Sequence, residues 1–383
     1  MSARIAAPTH GDVRWAPRAR PLVAALVLAL ALAVTACGSG TPVGGASALR
    51  HAPPHATATA TPTQAPTPVP CTTWQIIPSP NPPSLPNSRL VAVSALAPAD
   101  TWAVGGTYVF DDLAQTLIER WDGTAWRVVP SPNRSGANQT FLQGVAAVSP
   151  RDAWAVGSNK VRPTTPTDTL VEHWDGAQWS IVPSPDSGPG STDNVLSSVV
   201  ALAADTVWAV GSSRSADGTR LPLTERWDGT AWHRIMGPAR PSGALGSELS
   251  GVVALSPTDA WAVGDYFARD HTRRALIAHW NGTACQVVAS PDAWATLSSV
   301  TAAGARDVRA VGTFYDGSGS GVGQATFEQW DGSAWHLVAS PAPRGALSRS
   351  LSAVTTDDAG TFWAVGSDRT AGGTFQTLTA HCP

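Results

Sequence analysis

The sequence predicts an all-β chain in which one sheet-forming unit repeats around a ring, and three observations predict it. The string Trp-Ala-Val-Gly starts at Trp102, Trp154, Trp208, Trp261 and Trp363, with an Arg-Ala-Val-Gly copy at Arg309, giving spacings of 52, 54, 53, 48 and 54. A second string, Trp-Asp-Gly or Trp-Asn-Gly, starts at Trp121, Trp174, Trp227, Trp280 and Trp330. A further Trp follows five residues later at Trp126, Trp179, Trp232 and Trp335, and Cys285 fills that slot once. The third observation is composition: 35 Gly and 32 Pro in 383 residues argue against long helices. Hydrophobic residues at 43% suffice for a large core and exclude wholesale disorder. A period near 53 residues belongs to a propeller or solenoid array.

Each unit parses into four short strands. In the second unit these cover residues 142–148, 153–157, 169–174 and 178–183. Asp-Gly between the third and fourth strands is a hairpin signal, because glycine takes the positive φ of a tight turn. Pairing parity places Trp174 and Trp179 on one sheet face. In the second strand Trp154 and Val156 share a face while Ala153 and Ala155 take the other, which suits sheets stacked on sheets. The first strand is rich in Ser, Ala, Gly and Val, which suits a crowded centre.

The chain ends extend the pattern. Cys71-Thr-Thr-Trp74-Gln-Ile-Ile reads as a fourth strand without its first three, and Thr377-Leu-Thr-Ala-His-Cys382 as a third strand without its fourth. Together they complete a sixth unit. The expectation is a six-bladed β-propeller over residues 71–383, with four-stranded blades, closed by pairing the N-terminal strand with the C-terminal three strands. Cys382 stands in the Trp slot before the missing hairpin and Cys71 in its Gly slot, so a Cys71–Cys382 disulfide is expected there, two unpaired thiols being the alternative.

Residues 1–36 read as a targeting segment. Arg4, Arg14, Arg18 and Arg20 precede an apolar run, 22–36, that ends Val34-Thr35-Ala36 before Cys37. The run is short for a membrane span. Val-Thr-Ala-Cys resembles the lipobox of bacterial lipoproteins, which implies cleavage before Cys37, lipidation of its thiol and a membrane anchor at the cell envelope; an ordinary signal peptide with a spare Cys is the alternative. Removing 1–36 takes four arginines and Asp12, leaving 21 basic and 27 acidic residues, a net charge of -6. Residues 37–70 are dominated by Pro, Thr, Ala and Gly and read as an extended tether, about 100 Å at full reach at about 3.1 Å per residue.

The Asp-Gly hairpin followed by Trp makes residues 71–383 resemble kelch and galactose-oxidase-type propellers and the Asp-box propellers. The kelch double glycine is present only at Gly105-Gly106, and the Asp-box Ser/Thr stands at a different distance. The resemblance implies a fold and no particular activity, so function rests on a site.

Alternating strand directions place the turns after the first and third strands at one end of every unit. The connections after the second and fourth strands share the other end, and these vary in length and composition. They contain all three Tyr and the only Lys, Lys160. Rigid scaffold below and varied loops above is how binding faces are made. The candidate binding residues are Tyr108, Asp111, Arg162, Arg214, Tyr266, Arg273, Trp294, Arg309 and Tyr315. Cys285 and Arg309 each stand where neighbouring units have Trp, and Trp294 is the one indole of residues 71–383 outside the repeat slots, so a pocket lined by Trp294 and Arg309 is considered against simple refilling by Trp294. Cys285 itself reads as a small apolar filler.

The residue before the second Trp is Arg120, His173, Arg226, His279, Gln329 and His381 in turn. Three His in one slot of different units do not converge on one ion, so no metal is expected and the slot is read as solvated. Glu119, Glu172, Glu225 and Glu328 repeat two positions before the same Trp and are set aside as a catalytic set for the same reason. Asp316-Gly-Ser-Gly-Ser reads as a flexible loop. Copper-oxidase chemistry needs central Tyr and His that are missing, and a sialidase-like site needs Arg and Tyr on first strands almost devoid of both. No cofactor is expected, and with a formal charge of -3 and one Lys no nucleic-acid partner. The functional expectation is a monomeric, lipid-anchored, non-enzymatic module binding an extracellular protein or glycan. The alternatives are a structural hub in envelope assembly and a polysaccharide-active hydrolase or lyase.

Overall fold

Short segments interrupted every few residues by Gly, Pro and Asp cannot sustain helices, and the described residues form strands and turns only. The computed structural model describes residues 80, 82, 87–109, 113–161, 165–186, 191–292, 294–315, 323–338, 346–356, 362–370 and 375–382. The expected targeting segment, tether and strand at Trp74 lie outside them. So do Cys37, Cys71, Asp111, Arg162, the loop at Asp316 and the side chain of Cys382.

Six antiparallel groups follow one another along the chain. The first contains β1 (Asn87–Ala97), β2 (Asp100–Val109), β3 (Leu113–Trp121) and β4 (Trp126–Val128). The second contains β5 (Gln139–Ser149), β6 (Asp152–Lys160), β7 (Thr167–Trp174) and β8 (Trp179–Ile181). The third contains β9 (Asp193–Ala203), β10 (Thr206–Arg214), β11 (Arg220–Trp227) and β12 (Trp232–Arg234). The fourth contains β13 (Gly246–Ser256), β14 (Asp259–Phe267), β15 (Arg273–Trp280) and β16 (Cys285–Val288). The fifth contains β17 (Ala295–Gly304), β18 (Asp307–Tyr315), β19 (Gly323–Trp330) and β20 (Trp335–Leu337). The sixth contains β21 (Ala346–Thr356), β22 (Phe362–Thr370) and β23 (Phe375–Cys382). Single parallel bridges, Ala114 to Gln139 and Thr167 to Asp193, join the first three groups into one 12-stranded sheet.

Two local rules repeat. In the second group Asp175 accepts at Oδ1 from the amides of Ala177 and Gln178, both at 2.8 Å, while Gly176 takes φ 96°, closing the hairpin that pairs Trp174 with Trp179. The register of β5 on β6 shifts between Leu142 and Gly144. Gly157 faces this bulge, and a Cβ there would lie 2.0 Å from the Phe141 carbonyl oxygen, so the last residue of Trp-Ala-Val-Gly must be glycine.

The conserved spacing of indoles builds the seams between groups. Trp102 of β2 lies with its ring centre 5.1 Å from Trp174 and 5.2 Å from Trp179 of the next group. Trp154 meets Trp227 and Trp232 at 4.9 and 5.4 Å, and Trp261 meets Trp330 and Trp335 at the same distances. Trp154 and Val156 face the third group, packing on Leu196 and Val199, while Ala153 and Ala155 face the first. The first strands lie beside one another in order, β1 by β5, β5 by β9, β9 by β13, β13 by β17 and β17 by β21. Gly144 lets β5 approach Ser198 closely, which matches the small-residue composition of these strands.

Every first strand from β5 onward carries a Leu and a Val that face the preceding group. Leu142, Leu196, Leu249, Leu297 and Leu351 are at most 1% exposed, and Val145, Val199, Val252, Val300 and Val354 at most 9%. Their counterparts in β1, Leu90 and Val93, are 36% and 66% exposed.

The slot before the second Trp is partnered rather than simply solvated, a correction to the sequence expectation. Arg120 grips Asp100 with two contacts of 2.7 Å and lies 4.7 Å over the Trp102 ring. His173 bonds Asp152 at 2.9 Å with its ring 4.2 Å from Trp154, and His279 bonds Asp259 at 2.8 Å with its ring stacked 4.0 Å from Trp261. The cause is register: this slot lies directly across from the Trp of Trp-Ala-Val-Gly, and the Asp that starts the same strand reaches it.

The repeated glutamates are core residues. Glu119, Glu172 and Glu225 are fully buried and Glu328 is 1% exposed. Burial pushes the Glu172 carboxyl up to about 8, with neither oxygen hydrogen-bonded. Burial, aided by the charge of Asp186, lifts Glu225 to about 8 against the pull of Arg234. Glu328 rises to about 7 through burial, opposed by the Ser290 hydroxyl that donates to it at 2.8 Å and reinforced by Asp292. Ser290 belongs to the preceding group, so this contact also crosses a seam.

Candidate binding face

Strand direction gathers the ends of the second strands and the starts of the first and third at one end of each group. Tyr108, Lys160, Arg214, Phe267 and Tyr315 occupy this end by register. Two cavities open there.

The larger, about 500 Å³, lies across the first three groups. Its walls are Arg89 of β1, Tyr108 of β2, Ala114 of β3, Gln139 and Phe141 of β5, Ser158, Asn159 and Lys160 of β6, Thr167 of β7 and Val195 of β9. Arg89 stacks with its guanidinium carbon 4.9 Å over the Phe141 ring. Asn159 is fixed from both sides, donating to the Thr169 carbonyl at 3.0 Å and accepting from Arg134 at 3.2 Å. Amides, hydroxyls, two aromatic rings and two cations therefore converge on one concavity.

The smaller cavity, about 300 Å³, lies between the third and fourth groups. Glu248 of β13 is gripped by both Arg220 and Arg273, and Arg273 makes two further contacts with Asp265, at 2.8 and 3.0 Å. Burial raises Asp265 to about 6, against the pull of Arg273. Arg214 pairs with Asp193 at 3.3 Å and donates to the Gly218 carbonyl at 3.0 Å. The guanidinium and carboxylate charges here are matched one for one.

An aromatic edge follows on the fourth and fifth groups. The Tyr315 amide donates to the Trp294 carbonyl at 3.1 Å, and both side chains are exposed. Arg274, which pairs with Asp270 at 2.6 Å and sits across the strand from Tyr266, lies 5.5 Å over the Trp294 ring.

Of the residues singled out by sequence, Tyr108 lines the first cavity and Arg214 and Arg273 the second, while Tyr266, Trp294 and Tyr315 sit on the aromatic edge. Arg309 is at the other end. It pairs across from Thr301, six residues or about 20 Å along β17 from Ala295, the neighbour of Trp294, and bonds Asp307 at 3.1 Å. Trp294 and Arg309 thus share no pocket. The missing indole at Cys285 leaves instead an apolar gap of about 20 Å³ between Trp208 and Trp280, one seam earlier, because each seam pairs one group's second strand with the outer strands of the next. Burial pushes the Cys285 thiol up to about 11. Among the described residues no three His, Cys, Asp or Glu gather as a metal site. Arg89, Gln139 and Glu248 were not singled out by sequence, since each is an isolated polar residue within a first strand. Lys160, as the sole lysine, carried a signal.

No protein-family model matches the chain, and no curated protein matches it by sequence. Among solved structures, Trypanosoma rangeli sialidase in complex with 2,3-difluorosialic acid superposes with a TM-score of 0.51 at 10% identity, over 76% of this chain and 53% of that one. A mutant of that sialidase displaying trans-sialidase activity gives 0.50 at 10% identity, over 76% and 54%. Aleuria aurantia lectin in complex with alpha-methyl-L-fucoside gives 0.44 at 12% identity, over 77% and 94%. The likeness to the sialidases is one of fold. This chain is all-β and propeller-like, and it spans about half the length of the sialidases it matches.

Proposed function

We propose that this chain is a lipid-anchored, extracytoplasmic six-bladed propeller that binds glycans through the end bearing its varied connections. The observation that carries the binding reading is the cavity of about 500 Å³, whose amide, hydroxyl and aromatic walls suit the alternating polar and C–H faces of a saccharide. The T. rangeli sialidase of similar fold holds a saccharide derivative, which is compatible with this reading. Ring closure is supported by Leu90 and Val93: their five counterparts are each buried by a preceding group, and β22 of the sixth group carries the same Trp-Ala-Val-Gly strand that does the burying. The Val-Thr-Ala-Cys37 motif supports the anchor, and the slots of Cys71 and Cys382 support the disulfide that completes the sixth blade. A glycan array probed with the full chain tests the function. The expected result is selective binding lost in Tyr108→Ala and Gln139→Ala; an array without hits refutes the glycan reading.

A further inference from the structure

The first cavity differs from the second in its electrostatics. Among the described residues its lining includes Arg89 and Lys160 and no Asp or Glu. Among the described residues, two acids close in register are already matched: Asp168, across the strand from Asn159, pairs with Arg134 at 2.6 Å, and Asp193, bridged to Thr167, pairs with Arg214 at 3.3 Å. Among the described residues no ion pair engages Arg89 or Lys160. Two cations thus face a polar cavity in a chain whose formal charge is -3.

The guanidinium carbon of Arg89 lies 4.9 Å from the Phe141 ring centre, and a guanidinium is the group that takes a carboxylate in two parallel hydrogen bonds. Lys160 adds a compact charge at the end of β6, and Gln139 and Ser158 line the wall beside it. Tyr108 supplies a ring for the apolar face of a sugar.

We propose that this cavity recognises an acidic saccharide of the uronate type, its carboxylate held by Arg89 and Lys160. The proposal rests on the glycan-binding reading and adds the charge of the ligand. In the second cavity the same residue types neutralise one another, so it offers no comparable preference for an anion.

The test is calorimetric titration of the full chain with oligogalacturonate and with the same oligomer fully methyl-esterified, at low and at physiological salt. The acid is expected to bind at least about tenfold more tightly than the ester, with the gap shrinking as salt rises. Lys160→Gln and Arg89→Gln, both at positions that leave the core untouched, are expected to abolish most of that gap. Equal affinity for acid and ester, or a gap that survives both substitutions, overturns the proposal and leaves glycan binding intact. Neutral glycans binding on an array where both uronate oligomers fail has the same meaning. Failure of every saccharide overturns both readings.

Discussion

Replacing Glu172 by glutamine is expected to stabilise the protein at pH 8 and to leave it nearly unchanged at pH 5. Burial lifts this carboxyl from 4.5 to about 8, and neither oxygen has a hydrogen-bond partner. Below the lower value the folded and unfolded chains both hold the proton. Between the two values only the folded chain holds it, so stability is complete at low pH and falls as pH rises, by about 1.4 kcal/mol per pH unit. From pH 5 to pH 8 this amounts to about 4 kcal/mol for one group. Glutamine escapes that loss but buries an amide lacking partners, at a cost of about 1 kcal/mol or more at every pH. The net gain at pH 8 is then about 3 kcal/mol, or about 6 °C in the unfolding midpoint for a chain of this size. Thermal unfolding of wild type and variant, followed by tryptophan fluorescence from pH 5 to pH 8, reads the difference directly, and groups common to both chains cancel. A midpoint difference that stays constant across this range refutes the reasoning.

Three further outcomes are expected. Gly157→Ala places a methyl 2.0 Å from the Phe141 carbonyl and should cost about 3 kcal/mol or more in urea unfolding, since the clash is with backbone; a loss under about 1 kcal/mol would show that the bulge is not what requires glycine. Val93→Asp should destabilise by about 2 kcal/mol or more if the ring closes over β1, whereas a surface valine 66% exposed would tolerate it within about 0.5 kcal/mol. The Cys285 thiol, raised to about 11 from 9.0, should be alkylated at pH 8 about a hundredfold more slowly in folded than in unfolded protein, measured by mass spectrometry of the peptide containing it; equal rates contradict the burial argument.

The repeat was legible because its signals are local. Trp-Asp-Gly fixes a hairpin within six residues, and alternation within Trp154-Ala155-Val156 fixes which side chains share a face; the register and clusters agree with both. What the sequence did not reveal depends on the neighbouring sheet. Glu172 is one residue from His173 and reads as the same solvated strand, yet alternation turns it into a seam while His173 turns to Trp154 and Asp152. The cavity residues divided on the same ground. Tyr108 and Arg214 announce themselves in variable connections, while Arg89 and Glu248 each stand between a Ser and a Leu within a first strand, and only the convergence of neighbouring groups makes them walls of a cavity. Arg309 was misplaced because the two missing tryptophans were read as one gap between the fourth and fifth groups, whereas the gap at Cys285 opens one seam earlier and Arg309 lies at the opposite end of its strand from Trp294.

That last point has an evolutionary side. Because one unit supplies the projecting indole and its successor supplies the receiving pair, an intact copy carries both halves of the same lock, and a tandem duplication brings its own interfaces with it. Arrays of this kind are free to gain or lose members by whole units, and decay begins where one half of a lock drifts. The Cys285 copy marks such a joint, and gentle proteolysis or pulling on the chain should part it there before the intact indole clasps on either side.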